Sequence, residues 1–181
     1  LYAGCKWLTF SLAKQKINGS NFARVLGYLL AWPGMDATVF LNTRAEVVKP
    51  RMSEWISAAG KILFGVILVW FVVRLVVPVN PLLAGWIGMT GIVFILHFGL
   101  FHLLAIGWRT AGVNATPIMQ NPALASSLIE FWGRRWNTAF HELVHRFTFR
   151  PLGKRVGVVG ATLVVFLLSG LVHELCISLP A

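Results

Sequence analysis

LLAGWIGMTGIVFILHFGLFHLLAIGW, residues 82–108, contains no Asp, Glu, Lys or Arg. As a helix it reaches roughly 40 Å at 1.5 Å per residue, more than the ~30 Å hydrocarbon layer of a bilayer. Two further stretches read the same way. Residues 62–77 are interrupted only by Arg74 and close at Pro78, and residues 156–179 carry charge only at Glu174. The predicted spans are therefore about 62–77, 82–106 and 156–179, with the middle one the clearest. Composition agrees: 57% of the 181 residues are hydrophobic and 12% are charged, with a mean hydropathy of +0.73. A soluble domain carries about 25% charged residues. The fold class this predicts is all-α, a polytopic transmembrane helical bundle.

Charge sets the orientation. Sixteen Lys and Arg against six Asp and Glu give a net charge of +10, which in a soluble chain would suggest nucleic acid. Here the cations lie between apolar runs, so no nucleic-acid partner is expected. They read instead as topology signals and contacts to lipid headgroups. Val79-Asn80-Pro81 is a tight uncharged turn, making the first two spans a helical hairpin. Residues 33–61 and 109–155 flank it on one side with most of the cations, and that side is expected to be cytoplasmic. Residues 7–13 and 22–32 are too short to span and read as interfacial, or as remnants of a cut span. Gly85, Gly88 and Gly91, and Gly153 with Gly157, are expected to let helices pack closely. Two cysteines, Cys5 and Cys176, make no disulfide framework. The chain begins at Leu1 and ends just past an apolar run, so residues 1–181 read as a single membrane-embedded domain, incomplete at both ends. Short loops and few cysteines point to a bacterial inner membrane, otherwise an endomembrane.

The polar groups concentrate in EFWGRRWNTAFHELVHRFTFR, residues 130–150. At about 100° per residue, Trp132, Trp136, Phe140, Leu143 and Phe147 share one side, while Arg134, Asn137, Thr138, His141 and His145 share the other. The pattern predicts an amphipathic interfacial helix over about 123–150, stopped by Pro151. A solvated face is usually built of Lys, Glu and Gln; Asn and His instead hold and move protons. His173 and Glu174 stand late in the third span, where ionisable groups are costly and point to function. His97 and His102 read as neutral histidines buried against backbone carbonyls.

Two chemistries fit these groups. His141-Glu142-Leu143-Val144-His145 matches H-E-x-x-H, in which two histidines share zinc and the glutamate is the base. Glu174 would supply a third ligand, giving a membrane-embedded metalloprotease. The motif fixes only three positions. Acyl transfer onto a hydroxyl needs a base for the acceptor proton and a donor for the developing oxyanion, and a His with an Asn supplies both. A non-catalytic scaffold or lipid-binding segment is the third reading.

Phe131-Trp132-Gly133-Arg134-Arg135-Trp136-Asn137, followed by Ser169-Gly170-Leu171-Val172-His173-Glu174-Leu175, resembles the wax-synthase-type branch of the membrane-bound O-acyltransferases. Gly27-Tyr28-Leu29-Leu30-Ala31-Trp32-Pro33-Gly34-Met35-Asp36 and His97-Phe98-Gly99-Leu100-Phe101-His102 are similar to that branch too. The resemblance implies an enzyme that moves a fatty acyl group from acyl-CoA to the hydroxyl of a lipophilic alcohol within the bilayer. It implies His173 as the catalytic base and Asn137 as its partner. Arg134, Arg135, Trp136 and Glu174 are the expected substrate-binding residues, with the two arginines drawn to the CoA phosphates. No cofactor or metal is expected; acyl-CoA is a co-substrate.

Overall fold

Asn80 reverses the chain between the two strongest spans. The computed structural model describes residues 2–14 and 21–178; its elements are helical, and no strand occurs among these residues. They form two compact units, Leu1–Thr138 and Ala139–Ala181. Three segments are long and apolar enough to cross a membrane: Met52–Val76 (α4), Pro81–Thr110 (α5) and Thr138–Leu175. Asn80 adopts an extended conformation, and its side chain accepts from the Leu83 N–H at 3.0 Å. Pro81 follows at the first helical position, where a missing N–H costs nothing.

The first span is longer than predicted, starting at Met52 rather than near residue 62. An uninterrupted-charge criterion stops at Lys61, whereas a helix continues through charges that find partners or reach the interface. Glu54, one turn inside α4, meets Arg109, at the end of α5, with Oε2 2.5 Å from Nη2. The outer ends of the hairpin therefore lie on one side, as the charge pattern implied. In the middle the two backbones nearly touch. A Cβ on Gly65 would stand 2.5 Å from the Gly91 carbonyl oxygen, and one on Gly99 would meet the Ile62 side chain. Of the three glycines expected to pack this interface, only Gly91 does so closely. Gly88 is in ordinary contact with Val73, and Gly85 has nothing near it. Each helix includes a wider π-helical stretch, Leu68–Val72 in α4 and Phe94–Leu100 in α5.

The weak apolar stretches near the N-terminus become α1 (Tyr2–Lys14) and α2 (Phe22–Ala31). With α3 (Ala37–Leu41) they build the best-buried core of the first unit, where Tyr28, Phe40 and Leu41 are at most 1% exposed. The segment from Gly27 to Asp36 serves this core residue by residue. Gly27 leaves room for the Trp108 ring, and Trp108 Nε1 donates to the Ala31 carbonyl at 3.2 Å. Tyr28 Oη lies 2.7 Å from Thr9 Oγ1 and donates to the Met35 carbonyl. Asp36 caps α3 by accepting from the N–H groups of Thr38 and Val39. Lys6 is buried beneath this cap, donating to the Gly34 carbonyl with its ammonium 3.5 Å from the Tyr28 ring centre.

Two predictions about the third span are corrected. The amphipathic helix over 123–150 is not continuous. A 3₁₀ turn at Pro122–Leu124 and a helical turn at Leu128–Glu130 lead into a π-turn, Phe131–Arg135, that stops at an extended Trp136. Pro151, for its part, does not end the helix. α6 (Thr138–Val144) runs through a π-turn, His145–Phe149, into α7 (Arg150–Ser178). Pro151 lacks an N–H and crowds the carbonyl four residues back, and the wider π-turn just before it relieves that crowding. The real break is Gly157, at φ 76° and ψ 173°. Phe140 and His173 lie 17 and 16 residues either side of it, yet their rings pack edge to face at 6.3 Å. Each arm is about 25 Å long at 1.5 Å per residue, so they must run nearly antiparallel. The Gly153–Gly157 pair therefore marks a reversal rather than a helix-packing stripe. Residue 179, the predicted end of this span, lies outside the described residues.

Gly157→Ala is expected to destabilise the second unit by about 1–3 kcal/mol, because an L-residue is strained at this φ and ψ; thermal unfolding in detergent measures it. Burial pushes the Lys6 amine down to about 7 from its ordinary 10.5. Between those values the unfolded chain holds a proton that the folded chain has released. Stability of the first unit should therefore rise with pH across that window, by at most ~1.4 kcal/mol per pH unit, and level off below it. Lys6→Met should abolish the slope.

Candidate active site

Asn137 stands where helix is interrupted, with φ 44° in the left-handed region. Asn tolerates that conformation better than other residues with a Cβ. The segment leading to it is tied to an incoming loop by backbone pairs. Gln120 N–H donates to the Arg135 carbonyl at 2.8 Å, and Thr138 N–H to that of Ile118 at 2.9 Å. Asn137 N–H points at the Met119 sulfur, 3.2 Å away. Asn121, at φ 47°, makes the matching bend on the loop side.

Arg135 clamps these two strands of chain together. Its Nε and Nη2 lie 2.7 and 2.6 Å from Glu130 Oε1, while Nη1 donates to the carbonyls of Gln120 and Asn121. The other Glu130 oxygen accepts from the Ser126 hydroxyl at 2.6 Å and backbone N–H at 2.8 Å. The two Ser126 bonds and then Arg135 hold the Glu130 carboxyl down at about 2. Sequence reasoning passed over Glu130, although Ser127-Leu128-Ile129-Glu130 has the S-x-x-E form of a helix start. Ser127 Oγ does accept from the Glu130 N–H, but the carboxylate turns to Ser126 and Arg135 instead.

Aromatic rings hold Trp136 in place. It stacks on Phe131 at 5.4 Å and meets Phe98 of α5 edge-on at 6.1 Å. The Phe98 contact links the F-W-x-x-x-W-N block to the H-F-G-L-F-H stretch of the second span. Arg134 is exposed. His97 and His102 are not set against carbonyls as expected. His97 Nδ1 is buried with no hydrogen-bond partner among the described residues, and His102 Nε2 stands 3.8 Å from Glu54 Oε2.

In the second unit His173 is exposed, with Nδ1 2.9 Å from the Ser169 carbonyl oxygen one turn earlier. A carbonyl only accepts, so in the neutral imidazole Nδ1 carries the proton and Nε2 keeps the lone pair. That is the tautomer of a base acting through Nε2. Glu174 is exposed beside it. His141 and His145 stack at 5.5 Å, and His145 stacks on Phe149 at 5.4 Å, forming a column along the amphipathic arm. Among the described residues no group of three or more His, Cys, Asp or Glu is placed to hold a metal ion.

Residues 115–180 match the family model described as "Membrane bound O-acyl transferase family". This stretch belongs to the membrane-bound O-acyltransferases. The chain is 39% identical over 77 residues to the long-chain-alcohol O-fatty-acyltransferase of Simmondsia chinensis, covering 38% of this chain and 22% of that protein. It is 30% identical over 132 residues to the probable long-chain-alcohol O-fatty-acyltransferase 1 of Arabidopsis thaliana, covering 68% and 38%. With the acyl-CoA–sterol O-acyltransferase 1 of Arabidopsis thaliana it shares 35% identity over 93 residues, 44% of this chain and 26% of that one. The chain thus spans well under half the length of these acyltransferases. No solved structure matches it. The matched stretch contains both blocks on which the resemblance rests, Asn137 with its clamp and His173 with its carbonyl partner.

Arg135→Gln and Glu130→Gln should each loosen the loop against the Asn137 segment, raising amide exchange over residues 118–138. The double variant should add little to either, because both break one link.

Proposed function

We propose that the protein is an acyl-CoA-dependent O-acyltransferase that esterifies a lipophilic alcohol. The observation that carries this reading is the Nδ1 contact of His173 with the Ser169 carbonyl, which leaves Nε2 as the basic nitrogen. His173 Nε2 takes the hydroxyl proton as the alcohol oxygen attacks the thioester carbonyl. The C–S bond then breaks, and the imidazolium returns the proton to the leaving thiolate. The products are an ester and free CoA, and the step as proposed uses neither a metal nor a protein nucleophile. The Asn137 amide donates to the carbonyl oxygen as it gains charge.

The arginines divide their work. Arg134 is the exposed cation for the CoA phosphates. The Arg135 guanidinium is turned onto Glu130 and two carbonyls, so it acts by holding the Asn137 segment. Trp136 gives the substrate site an apolar wall, and Glu174 sets the field beside the base. The reaction lies in a bacterial inner membrane or an endomembrane with the cationic segments on the cytosolic side; the acyltransferases matched here come from plants.

Membranes holding the full-length protein, given labelled acyl-CoA and a panel of alcohols, test this. His173→Ala should cut ester formation by roughly 10²–10⁴, the range for loss of a general base. Asn137→Ala should cost about 10²–10³, as for an oxyanion donor. Asn137→Gly should relieve the backbone strain without restoring the rate, which separates amide chemistry from conformation. Chelators should leave the rate unchanged. Ester synthesis that survives His173→Ala would overturn the mechanism.

A further inference from the structure

The charged end of the α4–α5 hairpin holds more donors than acceptors. Glu54 is the one carboxylate in the two spans, against Lys61, Arg74 and Arg109. It is already divided, with Oε2 on Arg109 and Oε1 accepting from the Arg51 N–H at 3.0 Å. The Arg109 side chain is only 10% exposed, and its Nε is buried with no hydrogen-bond partner among the described residues. Lys61 is half-buried and forms no salt bridge among the described residues. His102, 14% exposed, faces the same Glu54 oxygen and is within the electrostatic reach of both cations.

Helix geometry brings these groups together. Side chains lean toward the N-terminus of their own helix. Lys61 therefore leans from within α4 toward its Met52 end, while Arg109 leans from the end of α5 back along the hairpin. Because the two helices are antiparallel, both lean toward the level of His102. Unmatched cations next to an apolar layer are costly, and an anionic oxygen would satisfy them.

We propose that Lys61, His102 and Arg109 form a binding site for a phosphate group at the charged end of this hairpin. Phosphate oxygens accept several bonds at once and suit a guanidinium that already spends one edge on a carboxylate. Glu54 holds the arginine in place and keeps the cluster from repelling itself. The phosphate belongs either to CoA or to the headgroup of an anionic lipid, since both are found where a cytosolic surface meets the bilayer.

Binding to the chain in phosphatidylcholine nanodiscs tests the site without any turnover, so it stands or falls apart from acyl transfer. One arm titrates CoA; the other measures retention of phosphatidic acid by native mass spectrometry. Lys61→Gln and His102→Phe should each weaken one of these about tenfold, the scale of one charge-assisted hydrogen bond. The melting temperature should hold or rise for Lys61→Gln, which removes a half-buried cation that forms no salt bridge among the described residues. The arm that responds identifies the source of the phosphate. Arg74→Gln, at the other end of α4, should change neither. Arg109→Gln also strands Glu54, so the first two variants decide. The site is ruled out if Lys61→Gln leaves both arms unchanged, or if Arg74→Gln weakens binding equally.

Discussion

One ion pair closes the membrane hairpin at its charged end. Glu54 and Arg109 stand at opposite ends of some fifty residues of chain, and their contact at 2.5 Å fixes which ends of α4 and α5 lie together. The apolar surroundings make that pairing decisive, because a lone charge there is costly while a matched one is tolerated. With these ends joined, the glycine contact between Gly65 and Gly91 sets how closely the helices run. The register then carries Phe98 to Trp136 and Trp108 to the Gly27–Asp36 segment. The core of the first unit and the support of the candidate site both grow from this hairpin.

A second theme is helix that departs from the α form where polar chemistry is concentrated. Three of the four π-helical stretches among the described residues, Phe94–Leu100, Phe131–Arg135 and His145–Phe149, lie next to His97, Asn137 and the histidine column, while Leu68–Val72 is wholly apolar. Such turns are rare and are often found at functional sites. Their physical effect is to change the facing of the residues that follow. The Phe131–Arg135 turn returns Arg135 to Glu130, and Asn137 then takes a conformation few residues accept. The rigidity comes from Ser126, Glu130 and Arg135, none of which needs to touch substrate to hold Asn137 still.

Much of this was legible in the sequence. Residues 82–108 announced a span, Asn80-Pro81 a turn, and the cations a common side, because each depends on composition or on residues close in the chain. The blocks around Asn137 and His173 were legible through their resemblance to a family, whose model matches residues 115–180. The length of α4 was not, since Lys61 ends an uncharged run but not a helix. Pro151 misled in a similar way. Proline usually stops a helix, and only the π-turn ahead of it shows how this one continues.

The sequence by itself determined that the chain is helical and built for a membrane, which side of its hairpin bears the charge, and which polar residues stand out as candidates for a site. These follow from local hydropathy and side-chain chemistry. The tertiary structure decided what those residues touch. It turned Arg135 inward as a clamp, set His102 beside Glu54, and folded the last apolar arm back at Gly157 so that Phe140 meets His173. Each outcome depends on partners distant in the chain or on a single backbone angle, which composition and periodicity do not record.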